Sequence, residues 1–169
     1  MFRTHEVKQG DHRFSKTGFF RPIFWKNSVS RSFMFLDSYG HFGNLHLKEQ
    51  INKLFGISYL HPHLCSFRIG FRWNEQKGEY DLFQYQYVGW KNRKERYLAS
   101  VPLGKLFDVK ITNEKDHWLV VFDGVNANSK TFKFEHSIPW YIKPFGFLNL
   151  PYFGGSVPAP HEIKIKSKN

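Results

Sequence analysis

Phe67-Arg68-Ile69-Gly70-Phe71-Arg72-Trp73 is the stretch that decides the fold. Phe67, Ile69, Phe71 and Trp73 recur at every second position, with Arg68, Gly70 and Arg72 between them. Successive side chains on an extended chain point to opposite faces, so this run is a strand with one apolar and one polar face. A turn at Asn74 to Gly78 leads into Tyr80 to Val88. There Phe83, Tyr85 and Tyr87 share one face and Leu82, Gln84, Gln86 and Val88 share the other. The two runs predict an antiparallel hairpin. If their polar faces coincide, the hairpin carries a strip of Arg68, Arg72, Gln84 and Gln86.

The pattern repeats outward from this hairpin. Phe2 to Val7 reads as an edge strand. Ser32 to Asp37, Leu106 to Ile111, Trp118 to Phe122, Thr131 to Phe134 and Glu162 to Lys166 read as further strands, with Asp123-Gly124 a turn signal. Asn44 through Gly56 is the one helical candidate. Leu47, Ile51, Leu54 and Phe55 fall on one stripe of a 3.6-residue period, and Gly56 suits the position after a helix end. The sum is an all-β fold: a single antiparallel β-sandwich of jelly-roll or lectin-like type over residues 1–169, with one short helix on an edge. Phe, Tyr and Trp make up 19% of the chain, so its core is built of rings.

At 169 residues the chain is long enough to bury a core without covalent staples. Cys65 is the single cysteine, so no internal disulfide forms. No run approaches the length of an apolar membrane span. Met1-Phe2-Arg3-Thr4-His5-Glu6 has no apolar signal core, which leads us to expect a cytoplasmic or particle-associated protein and no membrane partner. The net charge is +11, from 25 Lys and Arg against 14 Asp and Glu. That balance favours an anionic partner. Part of the excess sits in Lys164 to Lys168, and part in Lys91 to Arg96, which reads as a hairpin loop. Charges in loops and tails serve solvation first, so nucleic acid is not the expected partner.

Three stretches together resemble a known group. They are Ile51-Asn52-Lys53-Leu54-Phe55-Gly56, then Ser66 through Trp73, then Pro151-Tyr152-Phe153-Gly154-Gly155 with Ala159-Pro160-His161-Glu162-Ile163. They look like a family of small proteins from Bacteroidetes and the phages that infect them. That resemblance implies a concanavalin-like sandwich and attaches no activity. More distantly, the closing pattern is similar to that of carbohydrate-binding and polysaccharide-lyase jelly rolls.

The polar strip suits a glycan. Arg forks and amides match hydroxyls and carboxylates, and rings stack on sugar faces. Arg68, Arg72, Gln84, Gln86, Tyr85 and Tyr152 are the candidate ligand-binding residues, Tyr152 from the breaker-rich loop Pro151 to Ser156. The same features also suit a solvated sheet face and a ring that plugs the core. A lyase acting on acidic glycans would use an Arg or Gln on the carboxylate and Tyr or His for protons; Arg68, Gln84, Tyr85 and His63 are of those types. The Gln-x-His triplet and the Tyr-rich closing strand that the alginate-lyase likeness implies are missing. Scattered carboxylates give no glycosidase pair. His61-Pro62-His63 lacks further ligands at metal spacing, so no metal or cofactor is expected. The sequence therefore favours a non-catalytic binding or assembly module for a glycan or protein surface, such as a virion decoration protein. A polysaccharide lyase working by β-elimination is the alternative.

Overall fold

A computed structural model describes residues 1–12, 20–37, 50–61, 63–89, 92–125, 129–143, 145–153, 159 and 162–168. These residues form twelve strands in two six-stranded antiparallel sheets. From edge to edge the first sheet runs β1 (Arg3–Val7), β12 (Ile163–Lys168), β3 (Ser28–Phe35), β8 (Phe107–Asn113), β9 (His117–Asp123) and β10 (Lys130–Glu135). The second runs β2 (Phe20–Phe24), β11 (Phe145–Asn149), β4 (Asn52–Tyr59), β5 (Cys65–Asn74), β6 (Glu79–Val88) and β7 (Arg93–Pro102). This is the jelly-roll sandwich that the alternation predicts.

The inner faces meet through rings. Phe35 of β3 stacks on Tyr80 of β6 with centroids 4.0 Å apart. Phe33 meets Phe55 of β4 at 5.5 Å. Trp118 of β9 lies 6.0 Å from Tyr59 and 5.6 Å from Phe67. All of these side chains are almost fully buried. Each such ring pair adds about 0.5–1.5 kcal/mol beyond its burial, so the two sheets are held at many points.

The expected helix over Asn44 to Gly56 is corrected where the chain is described. Residues 44–49 lie outside the described residues, and Asn52–Tyr59 is strand β4. The register of β4 against β5 shifts between Lys53 and Phe55. This bulge puts the consecutive residues Leu54 and Phe55 both into the core. Apolar residues at 51, 54 and 55 therefore imitate a helical stripe, while the cause is an extra residue in a strand. A second correction concerns Lys91 to Arg96. β7 begins at Arg93, so Arg93 to Arg96 are strand residues.

One buried polar group makes the fold sensitive to acid. His5 of β1 is 1% exposed, and its Nε2 lies 2.7 Å from Ser167 Oγ of β12. Burial first, then the charges of Arg31, Arg3 and Arg21, lower its pKa from 6.5 to about 4. An unfolded chain takes up this proton near pH 6.5, and the folded chain resists until about 4. The stabilisation is thus full above the unfolded value and lost as pH falls through the window between them. The loss amounts to about 3 kcal/mol once pH has fallen below both values. Urea unfolding at pH 4, 5 and 7 should show wild-type stability falling more steeply toward acid than that of His5→Gln.

Candidate functional site

The outer face of the β4–β5–β6–β7 block collects the polar residues. In an antiparallel ladder, directly opposed residues present their side chains on the same side. β5 and β6 pair Ser66 with Tyr87, Arg68 with Tyr85, Gly70 with Phe83 and Arg72 with Asp81. Gln84 is opposite Ile69 and Gln86 opposite Phe67. The expected strip of two arginines and two glutamines is therefore corrected. Arg68 and Arg72 share their face with Tyr85 and Tyr87, while Gln84 and Gln86 point between the sheets. There Gln84 Nε2 donates to Gln86 Oε1 at 2.7 Å, and Gln86 Nε2 donates to the Glu135 carbonyl of β10 at 2.9 Å. The pair ties one sheet to the other and faces away from the Arg68 side.

Around Tyr85 three cations converge, the first being its ladder partner Arg68. Lys53 Nζ lies over the Tyr85 ring at 4.4 Å, and the Arg93 guanidinium lies over it at 5.6 Å. Lys53 Nζ also donates to the Ile51 carbonyl at 2.9 Å. Arg68 itself is 3% exposed and Tyr85 5%. Its side chain lies against the backbone of Gly56, where a Cβ would come within 2.9 Å of Arg68 Cγ and 2.2 Å of the Phe67 carbonyl oxygen. Gly56 thus serves close approach inside a strand, in place of the helix-end role expected from sequence. Glu95 pairs with Arg93 at 2.8 Å.

This crowding sets the proton affinities. Burial, then Arg68 and Arg93, lower the Lys53 pKa to about 8, with Glu95 opposing. Burial, then the hydrogen bond and charge of Tyr87, push Tyr85 up to about 12, with Arg93 opposing. Arg68 is lowered by burial, against Tyr85 and Tyr87. His63 stacks flat on Tyr87, centroids 5.0 Å apart, and is exposed to solvent. Burial of part of its ring, then Arg68, His61 and Lys53, lower its pKa too. Near neutral pH the cluster offers a buried guanidinium, an exposed guanidinium, an ammonium that gives up its proton readily and a phenol that does not.

The other candidates fall around it. Arg72 is four residues along β5 from Arg68, about 14 Å at the strand rise. It lies over the Phe83 ring at 4.8 Å. Ile51 fills the space over Gly70 between them. At that end Asp81 accepts hydrogen bonds from Ser100 Oγ at 2.6 Å and Asn74 Nδ2 at 2.9 Å, and pairs with Lys77 at 3.5 Å. Tyr152 is joined to Lys53 by two backbone hydrogen bonds of 2.8 and 2.9 Å, which puts it at the margin of the cluster. Its neighbour Phe153 is buried in the core, and residues 154–158 lie outside the described residues. Lys53 and Arg93 are the two site residues that sequence reading misses. Lys53 falls within the span of the expected helix and Arg93 in the presumed loop; the alternation Arg93-x-Glu95-x-Tyr97, continuing the strand pattern, is the signal that finds the second.

Neither a family model nor a curated protein sequence matches the chain. Solved structures do share its fold. An alginate lyase from Klebsiella pneumoniae superposes with a TM-score of 0.64 at 8% identity, over 84% of this chain and 57% of the lyase. A protein of unknown function from Saccharomyces cerevisiae superposes at 0.53 and 10% identity, over 99% of this chain and 85% of the yeast protein. Alginate lyase A1-II', of polysaccharide lyase family 7, superposes at 0.50 and 12% identity, over 85% of this chain and 60% of that enzyme. The chain thus spans under two thirds of the length of either lyase. At these identities the likeness establishes the sandwich alone.

Two measurements check the cluster. Gly56→Ala should lower stability by about 1–3 kcal/mol, because the added methyl meets backbone and the Arg68 stem; the urea midpoint reports it. An NMR titration of the lysine side chains should find Lys53 losing its proton near pH 8, and Arg93→Ala should move that midpoint upward.

Proposed function

We propose that this protein binds an acidic polysaccharide, a polymer of uronate sugars, on the outer face of the second sheet. The convergence of Lys53, Arg68 and Arg93 around Tyr85 carries this reading. Lys53 and Arg93 take the sugar carboxylate, since charge-assisted bonds to a carboxylate are the strong ones. Buried Arg68 adds fixed positive potential beneath them. The exposed His63 ring, backed by Tyr87, and Tyr152 beside Lys53 give flat surfaces for sugar CH faces. Arg72 lies too far along the strand to share the same carboxylate.

A second reading, acid-glycan lyase, draws support from the alginate-lyase likeness and from the proton affinities. In β-elimination a base removes the proton on the carbon next to the carboxylate. The electron pair forms a carbon–carbon double bond, the adjacent carbon–oxygen bond breaks, and the leaving oxygen takes a proton. Lys53 in its neutral form is the base, Tyr85 the donor, and Arg68 and Arg93 stabilise the charge that develops on the carboxylate. Gln84 has no part in this reading, because it faces the interior.

Affinity electrophoresis through alginate, polygalacturonate and a neutral glucan tests the first reading. Each lost charge-assisted contact costs about 1.5–3 kcal/mol, so binding of the acidic polymers should fall tenfold or more in Lys53→Met and in Arg93→Ala. Arg72→Ala should bind as wild type does. Unchanged binding in the Lys53→Met, Arg93→Ala double variant removes the cluster from the account. Ultraviolet absorbance of an unsaturated product, rising through about pH 8 as Lys53 loses its proton, supports the second reading. Binding without any such product leaves the first reading alone.

A further inference from the structure

Trp25 and Leu60 are the two non-glycine residues with positive φ among the described residues, at 57° and 61°. Neither is an Asn or Asp, whose short polar side chains ease that conformation, and glycine would adopt it without steric cost. Both side chains also stand in water: Trp25 is 82% exposed and Leu60 more than half exposed. The backbone is thus strained twice at places where a large apolar group gains nothing from burial.

The two lie at one end of the sandwich. Trp25 follows β2 and Leu60 follows β4. Between those strands β11 begins with Phe145, the ladder partner of Phe24. Tyr141 belongs to the 3-10 turn Trp140–Ile142 just before β11. The β8–β9 turn joins the group. The Asn113 N–H donates to the Asn27 carbonyl at 2.6 Å, and Lys143 Nζ donates to the carbonyls of Glu114 at 2.7 Å and Lys115 at 3.3 Å. Apart from Met1 at the chain terminus, Trp25, Tyr141, Phe24, Phe145 and Leu60 are the most exposed large apolar side chains of the described residues. An apolar patch on an otherwise charged surface marks contact with something outside the fold.

We propose that this end of the sandwich seats its rings in the headgroup layer of an anionic lipid bilayer. The side chains project from separate turns. Lys26 adjoins Trp25, Lys143 falls between Tyr141 and Phe145 in the chain, and Lys115 lies in the β8–β9 turn with Glu114 and Asp116 as acidic neighbours. A fluid headgroup layer accepts separate projections, whereas a protein partner needs a matching surface of about 800 Å². Trp and Tyr settle at headgroup level, and lysines beside them meet lipid phosphates. The Phe24 and Phe145 rings stand at 88° to each other, so they offer a sugar no common plane. A second copy brings the same net charge of +11, which opposes self-association and draws the chain toward anionic headgroups. No helix among the described residues is long and apolar enough to cross a membrane, so the contact is with one surface. This replaces the expectation of no membrane partner, which rested on the absence of an apolar span. It is independent of the uronate cluster.

Flotation with vesicles of phosphatidylcholine alone, and of phosphatidylcholine mixed with phosphatidylserine, tests the proposal. Wild type should float with the mixed vesicles and much less with phosphatidylcholine alone, and sodium chloride should weaken the binding. Trp25→Gly, Leu60→Gly should lower that binding about tenfold or more, since two apolar side chains no longer enter the interface. The same variant should hold or raise the urea midpoint, because glycine relieves both left-handed positions. Leu106→Ala, which removes an exposed apolar side chain from the β7–β8 turn at the other end, should float as wild type does. Wild type that does not float, a glycine variant that floats equally, or an equal loss in Leu106→Ala overturns the proposal. A urea midpoint that falls in the glycine variant assigns the two side chains to the fold and overturns it as well. So does a concentration-dependent dimer in sedimentation that the glycine variant loses, which assigns the patch to a second copy. Affinity electrophoresis through alginate separates this proposal from the uronate reading: the glycine variant should bind the polymer as wild type does, and a loss there assigns the patch to the glycan instead.

Discussion

Arg68 faces Tyr85 because the β5–β6 hairpin closes with one register and not its neighbour. Asn74 and Glu79 are the last paired residues, and Glu75 to Gly78 make the turn. Gly78 takes a positive φ of 63°, and the Asn74 side chain accepts the Lys77 N–H at 3.2 Å. Buried Asp81 then gathers Asn74, Lys77 and Ser100 beside the turn. Side chains alternate with period two, so a slip of one residue would set Gln84 or Gln86 against Arg68. Tyr85 and Tyr87 would then turn toward the core, and the pair that reaches Glu135 would face out. The ring-packed interior and the cation cluster are two consequences of one pairing.

The two cationic regions solve the problem of concentrated charge differently. On the outer face, aromatic rings stand in for counter-ions. Lys53 and Arg93 both use Tyr85, Arg72 uses Phe83, and Glu95 takes part of the load from Arg93. Cation–π attraction and one carboxylate ease the repulsion without cancelling it, and Lys53 loses its proton readily because of its burial first and the charges of Arg68 and Arg93 second. At one corner of the gap between the sheets, Arg31 lies over the Phe55 ring. Burial first, and the charges of Arg31, Arg3 and Arg21 second, keep the neighbouring His5 neutral. The first region is built on a broad sheet face and the second in a gap between the sheets.

Glycines set the local spacing. Gly56 and Gly70 lie on neighbouring strands of the outer face, and a side chain at either would collide with what now covers it. At Gly56 the neighbour is the Arg68 stem, so a residue with no side chain fixes the height of a buried charge. At Gly70 the neighbour is Ile51, which keeps the Arg68 and Arg72 ends of the face apart.

The alternation in Phe67 to Trp73 and in Tyr80 to Val88 determined the sandwich, and it also sorted each strand into faces correctly. Period-two patterning is a local property, since each side chain needs only its own strand to know its side. Which face of β6 meets which face of β5 is not local; it follows from turn closure and from the ladder, and the sequence left it open. The bulge at Leu54 was hidden for a related reason: two consecutive core residues are compatible with a strand only when a partner strand accepts the extra residue. Lys53 and Arg93 became site residues when β4 and β7 were laid on either side of the hairpin, and the corner cavity lined by Arg3, Arg21 and Arg31 required β2 of the second sheet to lie across from β1, β3 and β12 of the first. Strand identity was written in the order of residues, whereas convergence of charge depended on long-range pairing that no single segment encodes.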